Sequence, residues 1–154
     1  MNNKQLVGAL ELCDLPQLKL NKIETRVDTG ATTSSLHVDN IVEFKKQGEE
    51  PRKGLKNTPK ERWVRFDIHP DTHDVNQVVQ RQAKVKSVRR VKSSNATHQR
   101  RLVIETDILI AGMQWCIELT LTDRSEMKYL MLLGREAMSG RLIVDPEHEF
   151  LLSK

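Results

Sequence analysis

The sequence predicts an all-β, barrel-like domain with little helix, and three observations carry that expectation. Apolar residues recur at every second position, most clearly over 63–68 and over 114–122, where Trp115, Ile117, Leu119 and Leu121 fall on one face. Turn-forming groups punctuate the chain: Asp14-Leu15-Pro16, His69-Pro70-Asp71, Ser93-Ser94-Asn95-Ala96 and Ala111-Gly112-Met113. Only Gly134-Arg135-Glu136-Ala137-Met138-Ser139-Gly140 has the composition of a helix, and it is short.

Taken in order, residues 7–13 alternate as a strand and Pro16 breaks it. Leu18, Leu20, Ile23 and Val27 then mark a second extended segment that runs into Asp28. Residues 45–62 hold two glycines and two prolines with almost no apolar side chain, which predicts a long loop or mobile insertion within one domain covering 1–154. Residues 63–68 form the next strand. Residues 78–91 are rich in valine interleaved with basic residues, 102–110 alternate again, and the two form a long hairpin. A second hairpin leads into 114–122. The nearly continuous apolar run 127–133 suits a strand buried on both faces, and residues 142–144 and 149–152 are short closing strands around Asp145-Pro146.

With 154 residues the chain is of ordinary domain size and needs no staples to bury a core. No run approaches the roughly 18 apolar residues that span a bilayer, and residues 1–6 lack the apolar stretch of a signal peptide. The expectation is a cytoplasmic protein with no membrane partner. Cys13 and Cys116 are far apart, without metal-ligand spacing, and fit two buried, reduced thiols better than a disulfide. The net charge is +4, unevenly spread. Residues 81–101 contain eight Lys or Arg and no acid, whereas residues 102–154 contain nine acids and five bases. An anionic partner would dock on the middle of the chain.

The residues that point to chemistry are Arg26-Val27-Asp28-Thr29-Gly30-Ala31-Thr32-Thr33-Ser34. A hydrolase that activates water between two carboxylates needs each one held rigidly, close enough to its partner to split their pKa values. A strand ending in Asp-Thr-Gly suits that need. Glycine permits a tight turn with backbone N–H groups near the carboxylate, threonine can join a hydrogen-bond network, and alanine keeps the floor small. On those residues alone a solvated turn is the competing reading.

The downstream run Leu130-Met131-Leu132-Leu133-Gly134-Arg135-Glu136-Ala137-Met138 resembles the buried strand, glycine and short helix that close a retropepsin-like aspartic protease subunit. Together with residues 27–37, Arg89 to Ser94, Arg101 and residues 115–122, the chain is similar to the bacterial family of retropepsin-like endopeptidases often labelled "ATP-dependent zinc proteases", the RimB-like group. The resemblance implies a retropepsin-like closed barrel with a flap-like hairpin and one short C-terminal helix. It implies an aspartic endopeptidase with Asp28 as the catalytic carboxylate, supported by Thr29, Gly30 and Ala31. It further implies cleavage in an acidic, glutamate-rich segment, such as the glutamate tail of a small-subunit ribosomal protein.

The cationic segment agrees with such a substrate, since Arg grips carboxylates bidentately; Arg89, Arg90, Lys92, Arg100 and Arg101 are the candidate substrate-binding residues. A solvated hairpin face, general affinity for ribosomal RNA, and a non-catalytic module for acidic tails or the ribosomal surface are the alternatives. No partnership with DNA is expected. The chain has one Asp-Thr-Gly, so a second carboxylate must come from elsewhere, most simply from a twofold homodimer. No cofactor or metal is expected: there is no Gly-x-x-x-x-Gly-Lys-Ser/Thr loop and no His-Glu-x-x-His helix, and Pro70 stands between His69 and His73. His37 is expected near the site or as a hydrogen-bonded edge histidine.

Overall fold

A computed structural model describes residues 3–48, 60–71, 76–92, 98–123 and 128–152. The chain runs β1 (Gln5–Gly8), β2 (Leu10–Leu15), a 3-10 turn (Pro16–Leu18), β3 (Leu20–Val27), β4 (Ser34–Gln47), β5 (Lys60–Ile68), β6 (Val79–Lys92), β7 (His98–Ile110), β8 (Met113–Asp123), β9 (Met131–Leu133), α1 (Arg135–Met138) and β10 (Leu142–Asp145). Among the described residues it is nearly all strand with one short helix, as the alternating apolar pattern predicts.

The strands close into rings. Following hydrogen-bonded neighbours, β2, β3, β9, β4, β8 and β7 return to β2, the last link being the single pair Asp14↔Leu109. A second circuit runs β4, β5, β6, β7 and β8 and shares three strands with the first. Shared strands must be covered on both faces. Ser34 to Val38 in β4 and Leu102 to Ile104 in β7 are accordingly buried without a break, and the alternation expected of a half-exposed strand is lost there. Leu36, Phe66, Ile104, Leu119 and Met131 are fully buried at the heart of the core.

Several sequence expectations change in detail. The predicted strand 7–13 is two strands, pinched apart at Gly8 and Ala9. A Cβ on Gly8 would lie 2.5 Å from the His148 carbonyl oxygen, so only glycine lets the two segments pass. The β4 strand has no counterpart in the expectations and overruns the start of the predicted loop 45–62. Its outer half pairs only with β5, Val42↔Arg65 to Gln47↔Lys60, and is mostly solvent-exposed, so it carries no apolar periodicity to read. Residues 49–59 of that expected loop lie outside the described residues, as does the expected turn 93–96.

Residues 149–152 are a turn rather than a strand, held by the Glu11 carboxylate, which accepts hydrogen bonds from the backbone N–H groups of Leu151 (3.0 Å) and Leu152 (3.3 Å). Glu11 is fully buried and also accepts from Gly8 N–H at 2.7 Å. Of the predicted run 127–133, residue 127 lies outside the described residues, and residues 128–133 form a strand only over Met131–Leu133. Cys13 is buried as expected, its thiol pushed up to about 12 by desolvation, but Cys116 is exposed on the outer face of β8. Among the described residues no helix is long and apolar enough to cross a membrane.

Candidate active site

Asp28 follows the last residue of β3, where β3 runs parallel to β9 in the register Val27↔Leu133. Its N–H donates to the Leu133 carbonyl at 2.9 Å, continuing the strand pairing by one residue and fixing the backbone. The chain then turns at once. Ala31 N–H donates to the Asp28 carbonyl at 3.2 Å, and Gly30 N–H donates to Asp28 Oδ1 at 2.8 Å. A Cβ on Gly30 would sit 3.2 Å from that same Oδ1, so glycine gives the closest backbone approach to the carboxylate. One carboxylate oxygen is thus positioned. Oδ2 has no hydrogen-bond partner among the described residues, and Asp28 is half-buried at the edge of solvent.

The second half of the framework comes from the far end of the chain. Strand β9 lies between β3 and β4, pairing parallel with one and antiparallel with the other (Ser35↔Leu132). Gly134 then packs on the returning loop so closely that a Cβ would fall 2.5 Å from the Thr33 carbonyl oxygen. Gly134 N–H donates to the Ser34 hydroxyl oxygen at 2.9 Å. Arg135 clasps the loop from α1: its N–H donates to the Ala31 carbonyl (2.8 Å), Nη1 to the Thr29 carbonyl (3.0 Å) and Nη2 to Thr32 Oγ1 (2.9 Å). Ser34, Gly134 and Arg135 hold the loop, and their roles went unnoticed in the sequence, where Gly-Arg-Glu after an apolar run reads only as a helix start. A cleft of about 490 Å³ opens beside Thr29, with Lys4 and Arg135 on its rim and Met138 and Leu142 among its apolar lining.

Asp28, Thr29, Gly30 and Ala31 therefore form one unit, but no hydrogen bond or ion pair of this loop reaches the β6–β7 hairpin among the described residues. The hairpin's outer ribbon, Arg89↔Arg101 to Lys92↔His98, extends past the pairing with β5 and β8, in the manner of a flap. Most of its candidate cations already have partners. Arg100 forms a two-pronged pair with Glu43 (2.9 and 3.1 Å), which holds the Glu43 carboxyl below its usual range, and Arg89 pairs with Glu118 at 3.2 Å. Arg101 Nη2 donates to Gln99 Oε1, Arg90 is exposed, and the Lys92 side chain lies outside the described residues.

His37 is not the edge histidine expected. It is 3% exposed, and neither ring nitrogen has a hydrogen-bond partner. Arg101 Nε and Thr122 Oγ1 are likewise buried without partners, Thr122 standing directly across from His37 on β8. Burial, then the nearby Arg101 charge, push the His37 pKa below its ordinary value. His69 Nε2 lies 2.8 Å from Asp39 Oδ2, and His73 falls outside the described residues. One group of potential metal ligands exists among the described residues, Asp145, Glu147 and His148. Its geometry is that of a capped turn: Asp145 accepts from Glu147 N–H at 3.0 Å, and His148 Nδ1 lies 2.7 Å from Asp145 Oδ2.

A carboxylate set in an Asp-Thr-Gly turn, on a β3–β9–β4 arrangement closed by a glycine and a short helix, is a retropepsin-like arrangement. The chain belongs to the RimB-like family, described as retropepsin-like aspartic endopeptidase RimB, whose profile matches residues 6–154. A crystal structure of a Legionella pneumophila protein of unknown function (DUF785) has the same fold, with a TM-score of 0.70 and 25% identity over 96% of this chain and 97% of that one.

Curated relatives carry a different name. A Shewanella pealeana protein is 41% identical over 153 residues, a Parasynechococcus marenigrum protein 44% over 147 and a Desulfotalea psychrophila protein 42% over 143. These matches cover 99%, 96% and 93% of this chain, and each relative is named "Probable alpha-L-glutamate ligase". The chain spans about 30% of the length of these relatives, the matched shares being 31%, 29% and 28%. Both names are those of enzymes, and the chain is accordingly that of an enzyme. The expectation of an endopeptidase cutting a glutamate-rich segment of a ribosomal protein is overturned by these ligase names. The physical reason is that an Asp-Thr-Gly turn and a basic hairpin specify a held carboxylate and an affinity for anions. Neither feature specifies whether a glutamyl bond is made or broken.

Proposed function

We propose that the chain is the aspartic-peptidase-type unit of an α-L-glutamate-ligase system, with Asp28 as its reacting group. Its working partner would be the ligating portion that fills the remaining length of the relatives. The observation that carries this reading is the extent of the match: nearly all of this chain aligns within less than a third of proteins named for glutamate ligation. Activation of glutamate for ligation would belong to the remaining length of the relatives, outside the third that this chain matches. Supporting the aspartic type are the fixed Oδ1 and open Oδ2 of Asp28. In such a site one carboxylate takes a proton from water while a second carboxyl protonates the departing amine. The second carboxyl would be Asp28 of another copy, brought in by a twofold axis.

The test is mass spectrometry of an acceptor peptide incubated with glutamate, ATP and the ligating portion of a relative, with and without this chain. The chain alone should add no glutamate. Added to the ligating portion, it should change the number of glutamates carried by the acceptor, and Asp28→Ala should abolish that change. Glutamate addition by the chain alone would place ligation here, and an equal effect of the Asp28→Ala form would remove Asp28 from the chemistry.

A further inference from the structure

At the end of β3 remote from Asp28, a second cleft of about 560 Å³ opens between the Pro16–Leu18 turn and strands β5 and β6. Eight residues of strand separate it from the Asp28 turn, or ~26 Å at about 3.3 Å per residue. Its lining contains three cations, Lys19, Arg65 and Arg81, and no carboxylate. The remaining polar lining consists of glutamines at 17, 80 and 82.

The cations are differently prepared. The Arg81 guanidinium is built into the wall: Nε donates to the Leu18 carbonyl at 2.6 Å, Nη1 to the Gln80 carbonyl at 2.8 Å and Nη2 to the Lys19 carbonyl at 3.4 Å. Three of its five N–H groups are so engaged, which fixes a positive charge in place without neutralising it. Lys19 is set in the left-handed conformation, φ 53°, as the turn ends. Among the described residues neither Lys19 nor Arg65 forms an ion pair, in contrast to Arg89 and Arg100 on the hairpin. Gln17 Oε1 accepts from Thr106 Oγ1 and Asp107 N–H, which leaves its amide nitrogen as an uncommitted donor. Two carboxylates adjoin this network without being part of the lining: Asp67 accepts from Asn40 and Gln80, and Asp107 accepts from Gln114.

We infer that this cleft is a binding site for a small ligand bearing at least two carboxylates. An unopposed trio of cations, one of them rigid, recruits anions. Arg65 has its planar fork free to grip a carboxylate bidentately, and the glutamine amides match amide or hydroxyl groups on the same molecule. The volume is that of a small-molecule site. Phosphate is the less suited oxyanion, because the wall has neither a glycine-rich loop nor a helix N-terminus to present converging backbone N–H groups. The site stands apart from the Asp28 turn, and its test does not depend on what Asp28 does.

The experiment is a two-dimensional amide NMR titration of the full chain with glutamate, diglutamate and inorganic phosphate. Arg65→Gln and Lys19→Gln are used because both side chains are exposed; Arg81 is avoided because it holds the turn. Saturable shifts at residues 17–19, 65 and 80–82 are expected with diglutamate. Each substitution should weaken them about tenfold, the worth of one charge-assisted contact, while Asp28→Ala leaves them unchanged. Phosphate should bind more weakly. Absence of saturable shifts, shifts of equal strength in Arg65→Gln, or phosphate binding as tight as diglutamate would each overturn the assignment. Retained dispersion of the variant spectra separates lost binding from lost folding.

Discussion

Gly134 and Thr33 stand backbone against backbone: a Cβ added to Gly134 would lie 2.5 Å from the Thr33 oxygen, 2.6 Å from its carbonyl carbon and 2.9 Å from its nitrogen. Nothing flexible lies in that gap. Gly134→Ala must push the loop carrying Asp28 away from α1, and the expected cost is ~2–4 kcal/mol. Urea denaturation should show it as a lower midpoint at unchanged slope. Near-wild-type stability would mean that the loop can back away, and that the packing seen here does not fix it.

Ser34→Ala tests the same junction through its hydrogen bond. The Ser34 hydroxyl accepts the buried Gly134 N–H, and that donor would be left without a partner, at a cost of about 1–3 kcal/mol. Ser34→Thr retains an acceptor and should recover much of the loss. Thermal unfolding of the pair would sink the idea if both variants fell equally.

Asp28→Asn should leave the fold almost untouched, within ~1 kcal/mol, because an amide oxygen can still accept from Gly30 N–H. A melt shifted by more than that would make Asp28 a structural residue first.

Glu11→Ala removes the acceptor of three backbone N–H groups, on Gly8, Leu151 and Leu152. A loss of ~2–4 kcal/mol is expected, with faster hydrogen exchange at Leu151 and Leu152 than elsewhere. Uniform acceleration over the whole sheet would instead point to general destabilisation.

His37 gives the protein an acid sensitivity with a definite sign. Its folded pKa lies below its ordinary value of 6.5, so the unfolded chain binds the proton more readily. The stability it contributes is complete above the unfolded pKa and is lost as pH falls toward the folded one. His37→Leu should flatten the difference in unfolding free energy between about pH 7.5 and pH 5. A slope identical to that of the wild type would assign the sensitivity to other groups.

Much of the sheet was legible because β5, β7 from Ile104 onward and β8 as far as Leu119 keep the alternation of a half-buried strand, and the Asp28 turn was legible because the apolar run, Gly134 and short helix downstream gave Asp-Thr-Gly a context. The outer half of β4 was not, since residues exposed on both faces leave no periodic signal. The role of Arg135 was hidden for another reason. Its contacts with Thr29 and Thr32 span more than a hundred residues, and nothing local in either segment announces them. The pairing of Arg100 with Glu43 has the same origin, so a run of cations looked more available than it is. The cleft of Lys19, Arg65 and Arg81 escaped because its charges come from three separate segments.

The Asp28 turn depends on β9, which lies between β3 and β4 although the chain reaches it only after β8. On a chain emerging from the ribosome, Asp28 would therefore wait through the synthesis of a further hundred or so residues before Leu133 could accept its N–H. Closing so long a loop is slow compared with forming the β6–β7 or β7–β8 hairpins. The Asp28 turn is thus assembled late in folding, and a partly made chain can carry its sequence without yet carrying its shape.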